Sequence, residues 1–539
     1  MRKKKLLLAG GIILIVAFGI FLMKGKFTDS SINYQGESLE KSMEESVSAQ
    51  GSEAFFFQGV DGTVESNVMD GLKAAKESNE TIVWVTAGVG SEPVLPRERL
   101  KQVNELLKKR KLPFQMAVCY LDDTPEGYRG EMEKLLEEGY GDVFYTNSTF
   151  EGQEYYPQNH LIRKGYFKEL DSYLKTEEGK KLWDTLEGEE WKQVRMEDDK
   201  IYTVPNQYIF ADRNFVCFNK KYISKKKADA FSGDISTLGE YISSEMKDGL
   251  GRDSLHCSTY YWGIADAMGY YEIAGLLGNH ETGEIRNPLE VDEIHDIMEL
   301  LWKCNNDGTL YTGEEDDYTF GKGIAESTES LEKTIDSGEY GILIFRDTKV
   351  PEKLLKDAYV VELPNYYVRG TQGSFGVAKE SEKAEKALGL MQVLYSDAEI
   401  ANALVLGEEG VDYKLGDGYV YELSGEEKEG FVVRQIFGCN NLAHTGTSGR
   451  FGPDIVKGKK EFFASEYHKR SVFAGFQPDS DKWGDSMKAG IEAAASYYDL
   501  WRAKDFEKEY RKAREKIKGE TEKLRENIQK QYDTWKERE

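Results

Sequence analysis

The chain has 539 residues, with 96 acidic against 71 basic side chains for a net charge of −25, and is 40% hydrophobic and 12% aromatic. That length exceeds what one hydrophobic core accommodates, so at least two folded units are expected, and the composition is that of a globular chain. The acidity repels phosphate backbones and excludes nucleic acid as a partner.

Four basic residues, Arg2 to Lys5, precede eighteen uncharged and mostly apolar ones from Leu6 to Met23. As a helix that run spans about 27 Å, enough to cross a hydrocarbon core. The basic cluster stays inside, so the rest of the chain is expected on the outer face of the cytoplasmic membrane. No small-x-small cleavage site or lipid-accepting cysteine follows, so for residues 1–27 an uncleaved N-terminal transmembrane anchor is favoured over a cleaved signal sequence. Residues 28–79 are rich in Ser, Glu and Gly and read as a polar stalk, interrupted by "EAFFFQG".

"TIVWVTAG" (Thr81–Gly88), a helix with Leu100, Val103, Leu106 and Leu107 on one face, and "FQMAVCYL" (Phe114–Leu121) form a strand–helix–strand unit. The spacing suits a parallel crossover, so the class is α/β. "GDVFYT" (Gly141–Thr146) extends the alternation. Ligands of open parallel sheets bind beyond the carboxyl ends of the strands, which marks Tyr145, Asn147 and Ser148. "IYTVPNQYIFADRNFVCFNKKY" (Ile201–Tyr222) then places six aromatic rings in one short stretch. Alternation along its strand sends Phe215 and Cys217 to one face and Val216 and Phe218 to the other. Tyr208, Asp212 and Arg213 precede it, with Asp212 and Arg213 readable equally as an ion pair.

"STYYWGIADAMG" (Ser258–Gly269) is a second aromatic cluster, and "FGCNNLAHTG" carries Asn440 and Asn441 in a glycine-flanked loop. Further on, Ala384, Ala387, Leu388, Met391 and Leu394 form a helical stripe. Ser396–Glu399 fits a capping box, with Gly407 as the stop of the helix that follows. The tail shows one stripe at Phe506, Tyr510, Ala513 and Ile517 and another at Leu524, Ile528, Tyr532 and Trp535, with Gly519 between them, and reads as two helices packed on the body.

Five widely spaced cysteines without a C-x-x-C pair, and six histidines without H-E-x-x-H or H-x-H spacing, point to buried thiols, with one disulfide left open, and to no metal site. No G-x-S-x-G elbow, Walker loop or dinucleotide fingerprint occurs, so no catalytic residue and no cofactor is assigned.

In order and spacing, "DDKIYTVPNQYIFADRNFVCFNKKY", "GYFKELDSYL", "SGEYGILIFRD", "SFGVAKESEKAEKALGLMQVLYSDAE", "GEEGVDYKLGDG", "FAGFQPD" and "EKLRENIQKQYDTW" resemble the extracellular solute-binding proteins of ABC importers. The likeness is to their carbohydrate-type branch in Gram-positive bacteria and covers about residues 80–539. It implies a periplasmic-binding-protein-like fold of two α/β lobes with a hinge, closing over a ligand in the cleft between them. The lobes would be residues 80–206 and 357–395 for the first, and 207–356 and 396–539 for the second. It also implies a monomer that binds an oligosaccharide or other small solute and delivers it to ABC permease subunits, with a stacking ring at Tyr261 or Trp262. Two features depart from the family: no cysteine precedes Cys119, and Arg346 stands where many members carry an aromatic platform. A cell-surface glycan hydrolase and a solute-sensing receptor partner are the alternative readings.

Overall fold

The computed structural model describes residues 55–88, 94–121, 125–146, 158–186, 188–196, 198–206, 213–246, 251–258, 261–312, 328–347, 350–367, 373–415, 421–423, 437–438, 468–476, 478–479, 482 and 500–537. The expected membrane anchor therefore lies outside the described residues. Among the described residues no helix is long and apolar enough to cross a membrane. In chain order the strands are β1 (Phe56–Gln58), β2 (Val64–Glu65), β3 (Thr81–Ala87), β4 (Gln115–Leu121), β5 (Val143–Thr146), β6 (Thr203–Pro205), β7 (Arg213–Asn219), β8 (Leu255–Ser258), β9 (Tyr270–Ile273), β10 (Leu276–Asn279), β11 (Ile285–Arg286), β12 (Ile342–Asp347), β13 (Ala358–Glu362), β14 (Asn365–Tyr367), β15 (Ser374–Val377), β16 (Tyr413–Leu415), β17 (Tyr421–Leu423) and β18 (His468–Arg470).

The chain divides into two compact units. The first holds the described residues up to 206 and from 373 to 438. Its seven-stranded sheet runs β2-β1-β4-β3-β5-β15-β6. β3 pairs in parallel with β4 and with β5, as the strand–helix–strand spacing predicts, whereas β1 and β15 join antiparallel. "TIVWVTA" is apolar on both faces because both faces are covered; Trp84 lies 4.9 Å from Phe375 and 5.8 Å from Phe437. Residues 55–79 are not a stalk. β1 pairs with β4, and the helix Val68–Glu77, capped by Asn67, buries Leu72 and Ala75 in the same core.

The second unit holds residues 213–367 and 468–537. Its main sheet runs β13-β7-β12-β8, with β12 antiparallel to β7 and parallel to β8. The predicted alternation in β7 holds: Phe215 and Cys217 enter one apolar cluster, Val216 and Phe218 another. The expected domain boundaries do not. β13 pairs with β7, so the chain stays in the second unit past residue 357. The helix Ala398–Val405 packs on the helix Arg97–Lys109, with Arg110 Nε donating to Asp397 Oδ2 at 2.9 Å, so the first unit extends beyond residue 395. The cap of that helix is Asp397, one residue later than expected. Its carboxylate accepts from the amides of Glu399 and Ile400, while Ser396 closes the preceding helix. Gly407 ends it with φ +93.

The tail is one helix, Phe506–Lys536, not two. Its first stripe packs in the cluster of β7 and β8, its second with Phe473, Phe476 and Ile273. Gly519 sits between the stripes in open space. Packing on both sides holds the helix through a residue that costs roughly 1 kcal/mol in a helix interior. Gly519→Ala is therefore expected to raise stability by about 0.5–1 kcal/mol. Denaturant unfolding checks this, and a destabilised variant would contradict it.

Cys119, Cys217 and Cys304 are buried free thiols and Cys257 is buried as well; burial pushes Cys304 up to about 12, which keeps it protonated. Cys439 lies outside the described residues.

Candidate functional site

β3, β4 and β5 run in parallel, so in the first unit their carboxyl ends mark the place where a ligand is expected. A short polar chain stands there. Thr146 Oγ1, at the end of β5, lies 2.8 Å from Ser374 Oγ, which donates to Gln158 Oε1 at 2.8 Å. All three residues are buried, and Gln158 Nε2 has no hydrogen-bond partner. Turning the amide over would free Oε1 instead, so one of its polar atoms is left over either way. A buried amide group without a partner costs about 1–3 kcal/mol, which a ligand hydroxyl would recover. Gly373 lets the backbone turn here: its φ is +93, and a Cβ on it would meet the Thr146 carbonyl at 2.8 Å.

Tyr145, expected at this site, is a core residue instead. It is fully buried, with its ring 5.6 Å from Phe375 and its carbonyl accepting from the Tyr128 hydroxyl at 2.8 Å. As the penultimate residue of a strand covered on both faces, its side chain has nowhere to go but inward.

In the second unit the corresponding end of the sheet gathers the start of β7, the carboxyl ends of β8 and β12, and the helix Tyr261–Ala267 that follows β8. Arg346, near the end of β12, stands directly opposite Asn214 and is partly exposed. Arg213 is engaged in a paired contact with Glu362, its Nε donating to Oε1 at 2.7 Å, and its guanidinium lies 5.2 Å from the Phe215 ring. The sequence leaves Arg213 open to ligand contact or to an ion pair with its neighbour Asp212; the structure pairs it with a carboxylate of β13, the adjacent strand. Its planar fork is matched to that carboxylate, so a ligand-binding role for Arg213 is not supported. Asp212, Tyr208, Asn147, Ser148, Asn440 and Asn441 lie outside the described residues. Tyr261 and Trp262 open the Tyr261–Ala267 helix.

Sequence reasoning missed the polar residues that converge here. Asn214 donates from Nδ2 to Asp266 Oδ2 at 3.1 Å, and its backbone amide donates to Asn365 Oδ1 at 2.8 Å. Asp266 Oδ1 lies 3.2 Å from Nε2 of the fully buried His280, without a hydrogen bond between them. Nδ1 of the same ring meets Ser471 Oγ at 2.8 Å. The ring stacks on Tyr366 at 4.4 Å. Tyr366 donates to Glu281 at 3.1 Å, as does Lys469 at 3.0 Å, and the Lys469 bond holds the Glu281 carboxyl below its ordinary value. Burial pushes the Tyr366 hydroxyl up. No metal-binding cluster occurs among the described residues.

The chain is 21% identical over 505 residues to the carbohydrate ABC transporter substrate-binding protein of Streptococcus pneumoniae serotype 4, an alignment covering 87% of this chain and 94% of that one. Among solved structures, the N-glycan transport solute binding protein NgtS from Streptococcus pneumoniae matches with a TM-score of 0.56 at 17% identity, covering 85% of this chain and 100% of that one. The fold is that of the solute-binding proteins. A second member, the S. pneumoniae substrate-binding protein FusA in complex with kestose, matches with a TM-score of 0.51 at 11% identity over 85% and 100% of the two chains. No family model matches the sequence. The solute-binding-protein fold agrees with the α/β class and the two-unit division expected from the sequence, and both polar constellations stand at carboxyl ends of its parallel strands.

Proposed function

We propose that the chain is the substrate-binding component of an ABC importer, capturing an oligosaccharide at the cell surface for a membrane permease. The observation that carries this reading is the near full-length alignment with a carbohydrate ABC transporter substrate-binding protein, together with the fold. The chemistry of the site supports it. A sugar presents apolar ring faces edged by hydroxyls, so its receptor needs flat rings beside amides, carboxylates and guanidinium groups. Each unit carries groups of that kind: in the first the Gln158–Ser374–Thr146 chain offers polar groups, and in the second Arg346 offers a cation and Tyr261 and Trp262 offer aromatic side chains. Tyr208, Asn147, Ser148, Asp212, Asn440 and Asn441 remain assigned to ligand contact on the sequence alone. The protein performs no chemistry, acts as a monomer and is tethered by its N-terminal helix.

A thermal-shift panel of kestose, maltotriose, chitotriose and mannopentaose, with chromatography of each sugar after incubation, tests the reading. A rise in melting temperature with at least one sugar recovered intact is expected. Cleaved sugar would make the protein a hydrolase, and a response to peptides alone would move the ligand class.

Gln158→Leu is expected to weaken binding of the responding sugar about tenfold, the effect of one lost hydrogen bond of roughly 1.5 kcal/mol. Melting temperature should change little, because the variant also removes the stranded amide. Calorimetry reads the affinity, and wild-type binding by the variant would take Gln158 out of the site.

A further inference from the structure

We infer that Asp266 and His280 are positioning residues for ligand recognition, fixing the orientation of the Tyr261–Ala267 helix through a polar joint of five chain segments. The inference rests on the oligosaccharide reading given above.

The helix has seven residues, too few to be stable alone, so its direction is set by what holds it. Ile264, Ala265 and Ala267 bury one side of it in the apolar core, and two polar ties are made near its C-terminal end. The Asp266 carboxylate accepts from Asn214 Nδ2 on β7 and lies beside His280 Nε2. One turn later the Gly269 carbonyl, at φ +88, accepts from the His280 amide at 2.9 Å. His280 in turn is gripped by the residues just after β18: Ser471 meets its Nδ1, and its carbonyl accepts from the Val472 amide at 2.9 Å. Tyr366 of β14 closes the ring face.

Asn214, Asp266, His280, Tyr366 and Ser471 thus come from separate stretches of the chain, and polar contacts link all of them but Tyr366, which stacks on the His280 ring. Apolar surfaces slide over one another at small cost, whereas directional polar contacts in a buried site define one arrangement. Position 262 lies four residues before Asp266 and so shares its helix face. A tilt released at the joint would be carried to the opening turn, about 6 Å away along the helix.

The test uses the full chain grown with 5-fluorotryptophan, the Trp262 signal in its ¹⁹F spectrum being identified by Trp262→Phe. In Asp266→Ala and His280→Ala the Trp262 signal is expected to move while those of Trp84, Trp183 and Trp191 in the first unit stay in place. Affinity for the four sugars of the panel should fall at least tenfold wherever the wild type binds. Asn104→Ala, which strands buried groups of the first unit, serves as the control for general destabilisation, and should lower the melting temperature without moving the Trp262 signal. Asp266→Asn, which can still accept from Asn214, and His280→Gln should restore part of both losses, and they carry the test if the alanine variants do not fold. A Trp262 signal unmoved in all four joint variants would overturn the inference, as would an affinity loss no larger than that of Asn104→Ala. If no sugar of the panel binds the wild type, the oligosaccharide reading fails, yet the spectra still decide whether the joint orients the helix.

Discussion

Lys383→Met is expected to destabilise the first unit by about 3–5 kcal/mol, the cost of stranding one charge of a buried ion pair. Lys383 Nζ lies 3.0 Å from Asp142 Oδ2, and the two side chains are 8% and 5% exposed. The ammonium also donates to the carbonyls of Ala75 at 3.0 Å and Thr81 at 2.5 Å, tying the end of the Val68–Glu77 helix and the start of β3 to the segment before the Ala384–Ser396 helix. Asp142 in turn accepts from the Val83 amide at 2.9 Å and from Ser381 Oγ at 2.6 Å. Without the lysine, the carboxylate keeps those two donors but loses its counter-charge, and two carbonyls lose a donor. The double variant Asp142→Leu/Lys383→Met should recover part of the loss, since removing both charges removes the unpaired one. Denaturant unfolding, followed by a probe in the first unit because the two units need not unfold together, measures both. A single-variant loss below about 1 kcal/mol would show that this pair behaves as an exposed one.

Trp262→Ala is expected to lower oligosaccharide affinity by about 2–4 kcal/mol, roughly 30- to 1,000-fold, with a smaller change in melting temperature. Burying an aromatic face against a sugar contributes about 1.5–3 kcal/mol, and stacking geometry adds about 0.5–1.5 kcal/mol. A ring in the core would instead leave a cavity costing about 3–5 kcal/mol of stability while the folded fraction bound normally. Calorimetry and thermal unfolding on the same preparation separate the two, with Tyr261→Ala in parallel. If Trp262→Ala loses only stability, the stacking ring passes to Tyr261; if neither variant loses affinity, the Tyr261–Ala267 helix is no part of the site.

The elements that were legible in the sequence are those fixed by local periodicity. β3, β4 and β5 announce themselves as short apolar runs separated by amphipathic helices, and the two faces of β7 follow from alternation alone. What eluded sequence reading depends on partners distant in the chain. Arg213 looks toward its neighbour Asp212 in sequence, yet its carboxylate is Glu362, 149 residues away. Tyr145 carries a polar tip that suits a binding site, but β15 and Phe375 cover it from 230 residues further on. The residues around 357 look like a return to the first unit until β13 is seen to pair with β7. Gly519 is a local stop signal overridden by apolar contacts on both sides of it. His280 belongs to no motif, and its contact to Ser471 spans 191 residues. The polar constellations stayed hidden for the same reason: each is assembled by folding from single residues that carry no pattern of their own.

The claim that this chain is an oligosaccharide receptor without catalytic activity is tested most directly by calorimetric titration of the full chain with the sugar that gives the largest thermal shift. The account predicts one-site binding with a dissociation constant in the micromolar range or tighter, about −8 kcal/mol, weakened in Trp262→Ala and Gln158→Leu, with the sugar recovered intact. Heat of binding absent for every sugar of the panel, or a steady heat of turnover with shortened products, would contradict it.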